Sequence, residues 1–96
     1  MSRPAPDAGD FLALAARLQA EKPQLSGIQA GLVAAARLGI ANDSRAFARL
    51  LGLAHALVLR ELNALPEGLL RIEQRDTRTL RTRYAPMTIP EPFGGE

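Results

Sequence analysis

The hydrophobic period of this chain changes once, from about 3.6 residues to 2, at Pro66-Glu67-Gly68. Before that point the apolar residues fall in helical stripes. After it, Leu70, Ile72 and Gln74 alternate with Leu69, Arg71, Glu73 and Arg75, and Leu80, Thr82 and Tyr84 alternate with Thr79, Arg81 and Arg83. Two alternating runs joined by a polar Asp76-Thr77 segment describe a β-hairpin with one face turned to a core. The predicted fold is therefore mainly α, a bundle of three to four helices, with a C-terminal β-hairpin.

The helices are punctuated by caps. The first is expected over Asp10–Glu21, with Asp10 as N-cap and Phe11, Leu14, Ala15 and Leu18 as its buried stripe. Ser26-Gly27-Ile28-Gln29 matches a capping box, in which the serine hydroxyl and the glutamine side chain each satisfy a free backbone N–H. That second helix runs through Leu32, Val33, Ala36 and Arg37 and stops at Gly39. Asn42-Asp43-Ser44 opens a third, with Phe47, Ala48 and Leu51 inward. A fourth is expected from Ala54 to Leu65, packing through Leu53, Val58, Leu62 and Leu65. Gly52 either divides residues 43–65 into two helices or sits inside one, because a helical glycine costs only about 1 kcal/mol relative to alanine. Pro4, Pro6, Pro86, Pro90 and Pro92 crowd the ends, so 1–9 and 88–96 read as flexible tails around one domain, 10–87.

Charge is concentrated in the hairpin. The net charge is only +2, yet Arg71, Arg75, Arg78, Arg81 and Arg83 meet just Glu73 and Asp76 there. Of the 12 basic residues, Lys22 alone is not arginine, and the guanidinium fork suits phosphate or carboxylate. By strand alternation Arg71, Arg75, Arg81 and Arg83 share the face opposite Leu70, Ile72, Leu80 and Tyr84, with Arg78 at the tip. Such a cluster on a protruding ribbon is what phosphate binding requires. The same cluster also fits a solvated face whose arginines pair with Glu73 and Asp76 across the strands.

Other chemistry is thin. No cysteine is present, which removes disulfides and thiolate metal sites and fits a reducing, cytoplasmic setting. One histidine, His55, cannot supply a two-imidazole site, and neither a phosphate-binding loop nor a dinucleotide fingerprint occurs. The expectation is a protein that is not an enzyme and holds no cofactor or metal. No apolar run approaches the roughly 18 residues of a membrane span, and no signal peptide opens the chain.

The order of these pieces resembles the winged helix-turn-helix fold, and the local sequence is similar to the DNA-binding core of the MarR-type (multiple antibiotic resistance regulator) family over Leu25 to Pro86. Leu25-Ser26 matches the family's entry to its second helix. Phe47-Ala48-Arg49-Leu50-Leu51-Gly52 matches its Leu-Ala-x-x-Leu-Gly, and Leu65-Pro66-Glu67-Gly68-Leu69-Leu70 its linker into the wing. Asp76-Thr77-Arg78 is similar to the Asp-x-Arg wing signature. The resemblance implies a recognition helix at Leu53–Leu65 in the major groove, with His55, Arg60 and Asn63 reaching base edges. It also implies that Arg78 enters the flanking minor groove and that Asp76 orients it.

The residues themselves allow compatible roles. Ser44 and Arg45 open a helix whose free N–H groups suit phosphate, and Arg49 could extend that footprint. Arg60 can read guanine with its fork. His55 could donate to phosphate or base, or be structural filler. Leu57 is expected in the core; for Leu59, core packing and a protein interface weigh equally. Leu12 and Ala16, off the main stripe of the first helix, could pair two subunits. The expected function is sequence-specific binding of double-stranded DNA by a homodimeric transcriptional regulator. The alternative is an interaction module of the same fold that docks a protein through its apolar fourth helix and binds no DNA.

Overall fold

The computed structural model describes residues 5–87. The first helix, α1 (Ala8–Glu21), begins earlier than the periodicity indicates. Asp7 is its N-cap, and Asp10 is the third helical residue, closing a reciprocal capping box in which each carboxylate accepts the other's backbone N–H (2.9 and 3.1 Å). The N-terminal boundary at residue 10 is thus corrected to Ala8. Residues 1–4 and 88–96, expected as tails, lie outside the described residues.

The central helix, α2 (Gly27–Arg37), is capped by Ser26 as expected, and Gln29 through Ala36 are all buried. Its alanines let neighbours approach closely. At Gly31 an added Cβ would stand 3.2 Å from Phe47 Cζ and 3.4 Å from Phe11 Cζ, so the rings of two flanking elements converge there. Asp43 caps α3 (Ser44–Leu51), its Oδ1 accepting the Ala46 N–H at 2.7 Å. Gly52 then takes φ +67°, a left-handed conformation that ends the helix and is open to glycine without penalty. Residues 43–65 are therefore two helices. The second, α4, spans His55–Asn63, shorter at both ends than the periodicity suggests. Residues 53–54 serve as connection, with Ala54 extended at ψ 135°, and Pro66 disfavours helical backbone at Leu65.

Strands β1 (Leu70–Arg75) and β2 (Thr82–Pro86) form the antiparallel hairpin. A third segment joins it: Asp43 bridges Arg83, and the Tyr84 N–H donates to Asn42 O at 3.0 Å. The result is a small α/β domain of four helices followed by a two-stranded hairpin. Its core gathers Leu18, Leu25, Leu32, Val33, Phe47, Val58, Leu62, Leu69 and Tyr84 around α2. No helix among the described residues is long and apolar enough to cross a membrane.

The hairpin departs from simple alternation. Ile72 pairs with Tyr84 but Gln74 pairs with Arg83, leaving Glu73 as a bulge. The phase of β1 flips there, so Arg75 pairs with Thr82 on the inner face instead of joining Arg71 and Arg83 outside. Leu80 is not a core residue either: it is 50% exposed at φ +63° in the loop, where its N–H closes a turn onto Asp76 O (2.7 Å). Ile72, expected inward, is 45% exposed.

Tyr84 is 1% exposed, yet its hydroxyl has no hydrogen-bond partner. Burial, with the negative charge of Asp43 adding to it, raises the phenol far above its ordinary value. Tyr84→Phe removes the unpaired group and leaves the ring, so it is expected to raise stability by about 1 kcal/mol in denaturant titration. A raised phenol favours the folded state only while the unfolded tyrosine stays neutral. Wild type should lose stability as pH rises above about 10, and Tyr84→Phe should not.

Candidate nucleic-acid interface

A chain of polar contacts joins α3, α4 and the hairpin. Ser44, the first residue of α3, is fully buried, and its Oγ accepts the Thr82 N–H at 2.9 Å. The same oxygen lies 2.8 Å from Nε2 of His55, the first residue of α4. Thr82, also fully buried, donates through its hydroxyl to Leu80 O (3.0 Å) and accepts from Arg75 Nε (3.3 Å). Arg75 Nη2 in turn donates to Asn63 Oδ1 (3.1 Å), at the last residue of α4. Both ends of α4 are thereby tied to β2 through Thr82. Ser44 and Thr82, buried and satisfied in this way, are costly to separate because each would be left unpaired, whereas the Arg75–Asn63 link is exposed to solvent.

This chain reassigns several expected contacts. Ser44 is sealed inside and cannot reach a phosphate; its role is to join elements. Arg75 is held by Thr82 and Asn63. Arg81 is held by Asp43, its Nη2 2.9 Å from Oδ2. Burial would raise the Asp43 carboxyl, but the Arg81 hydrogen bond, the Ala46 N–H and the Arg81 charge outweigh it, and the carboxyl titrates below its ordinary value. Arg71 pairs with Glu73 along its own strand at 3.1 Å, not across the hairpin. Asp76 does not bind the Arg78 side chain: its Oδ1 accepts the backbone N–H groups of Arg78 and Thr79 (2.8 and 3.2 Å), which shapes the loop that carries Arg78.

Two hairpin arginines, Arg78 and Arg83, have no side-chain partner among the described residues. Arg78 is exposed at the tip. Arg83 shares with Gln74, Asp76 and Arg81 a shallow polar cleft on the outer face. On α4 the exposed residues are Ala56, Arg60 and Asn63, and the Arg60 side chain is 74% exposed with only a loose 3.8 Å approach to Glu61. Glu61 is occupied elsewhere, accepting the Ser26 hydroxyl at 2.8 Å. Leu57 and Leu59 are half-buried and neither belongs to the core, which corrects the expectation for Leu57.

His55 is half-buried, with Arg45 Nη2 3.5 Å from its Nδ1. A guanidinium can only donate, so with Nδ1 accepting from it the neutral ring would carry its proton on Nε2, towards Ser44. Burial and the Arg45 charge lower its basicity, and Asp43 opposes them in part. Asp43 and Thr82 are site residues that the sequence does not mark as such. Asp43 was visible only as a cap, and the inward threonine carried no charge to mark it.

Among the described residues no group of three His, Cys, Asp or Glu side chains could hold a metal ion. Comparison with protein-family models, with curated proteins and with solved structures finds no match to this chain.

Proposed function

We propose that this domain is a winged helix-turn-helix protein of MarR-like type that binds double-stranded DNA and acts in transcriptional regulation. Helix α4 would lie in the major groove and the loop carrying Arg78 on the flanking backbone or minor groove. The observation that carries this reading is the polar chain Asn63–Arg75–Thr82–Ser44–His55. It holds an exposed helix and an Arg-bearing loop as one unit, so that both can meet one duplex without a further ordering cost.

In this arrangement Arg60 and the free amide of Asn63 face the base edges, while Arg45, Arg78 and Arg83 meet phosphates. Arg81 and Arg75 contribute through the positions they hold. A homodimer would form through α1, whose Leu12 is 63% exposed and whose Ala16 is also exposed. Docking of a protein through α4 is less favoured. The larger exposed apolar side chains on the helices, Leu12, Leu50 and Leu51, belong to α1 and α3.

The test is retention of genomic DNA fragments on the immobilised chain at about 50 and 200 mM salt. Retention that falls steeply with salt and enriches a subset of fragments supports the proposal. No retention at the lower salt overturns it.

A further inference from the structure

The imidazole of His55 stands where three elements meet. Its Nε2 lies 2.8 Å from the buried Ser44 Oγ, which also receives the Thr82 N–H from the hairpin. Its other nitrogen faces the Arg45 guanidinium at 3.5 Å. The charged groups that bear on the ring are Arg45 and Asp43, both at the start of α3, and Asp43 is engaged by Arg81 of the hairpin. The ring also occupies the first position of α4, a helix whose N-cap, Ala54, offers no side-chain acceptor. A positive ring there is opposed by the helix dipole and by Arg45. An anion arriving at the same place would reverse that balance.

We propose that His55 is a proton-coupled contact to the duplex: neutral in the free domain, it takes up a proton as a DNA phosphate reaches the start of α4, and Arg45 is released towards the same backbone. This deepens the duplex-binding reading and rests on it. Protonation leaves the Nε2–H donating to Ser44, so the join between α4 and the hairpin survives. It removes the only lone pair facing Arg45 and sets two cations side by side, so the guanidinium turns outward. Two positive groups then replace one at the helix start.

The sign of the pH effect follows by linkage. The free domain favours the neutral ring and the complex favours the charged one, so binding consumes a proton between the two titration points. Affinity therefore rises as pH falls through that window, by at most about tenfold per pH unit, and is flat outside it. His55 is the sole histidine, so its ring resonance reports the titration without ambiguity.

The experiment measures association with a labelled mixed-sequence duplex from about pH 8 to 5.5 at constant salt, for wild type and His55→Gln, alongside NMR titration of the His55 ring. Glutamine keeps a donor for Ser44 but cannot charge. The proposal expects several-fold tighter binding by wild type at the acid end, a flatter profile for His55→Gln, and a ring that titrates higher when duplex is present. Duplex binding with identical pH profiles, or an unmoved ring titration, overturns the inference and leaves the duplex-binding reading standing. Absence of duplex binding at every pH overturns both.

Discussion

Replacing Arg78 by alanine is expected to weaken duplex binding about tenfold at low salt, equally for all sequences, and to reduce the salt slope by about one. Arg78 sits at the exposed tip of the hairpin, on a loop that Asp76 shapes through backbone hydrogen bonds, and among the described residues no acid pairs with its guanidinium. Its removal costs the fold little, which makes it a clean test. Arg60→Ala should behave differently. A guanidinium on the exposed side of α4 that reads guanine contributes about 1–3 kcal/mol of discrimination, so preference among sequences should narrow. Arg81→Ala should act on stability instead, because it strips Asp43 of its partner at the start of α3. Affinity titrations of the three variants against two duplexes separate these outcomes. If all three lose affinity alike, the division of roles is wrong.

Phe47→Ala is expected to cost roughly 3–5 kcal/mol in chemical denaturation. Phe47 is fully buried on α3 and its ring closes on Gly31 of α2, with the Phe11 ring also directed there. The backbone of α2 lies against these rings and cannot collapse into the space an alanine would leave. A loss of that size removes a large part of the 5–15 kcal/mol typical of a small domain, so the variant should be partly unfolded at physiological temperature. A cost below about 1 kcal/mol would mean that α3 is not anchored through this ring.

The helices were legible because their signals are local. Ser26-Gly27-Ile28-Gln29 states its capping box in four consecutive residues, and the stripe from Leu32 to Ala36 needs no tertiary information. Asp7 was overlooked because Asp10 has equal capping chemistry and stands nearer the apolar run. Gly52 stayed ambiguous because its propensity cost is small; its left-handed backbone and the Leu53 N–H returning to Ala48 O at 2.8 Å end α3 there. The bulge at Glu73 was the largest loss. Strand alternation carries no marker of an inserted residue, although a glutamine at the third inward position, Gln74, was a hint that the phase had broken. That single shift moved Arg75 to the inner face. The exposed arginines of the site were visible as a cluster. Which of them are spent on Asp43, Glu73 and Asn63 depends on contacts from distant parts of the chain, which no local pattern records.

The central claim, that α4 and the hairpin present one cationic surface to a duplex, is tested most directly by the salt dependence of the association constant. Three phosphate contacts, from Arg45, Arg78 and Arg83, correspond to a slope of about −2 to −3 in log affinity against log salt. A slope in that range, shallower by about one in Arg78→Ala, is the predicted result. A slope near zero, or no measurable association at about 50 mM salt, would contradict the account.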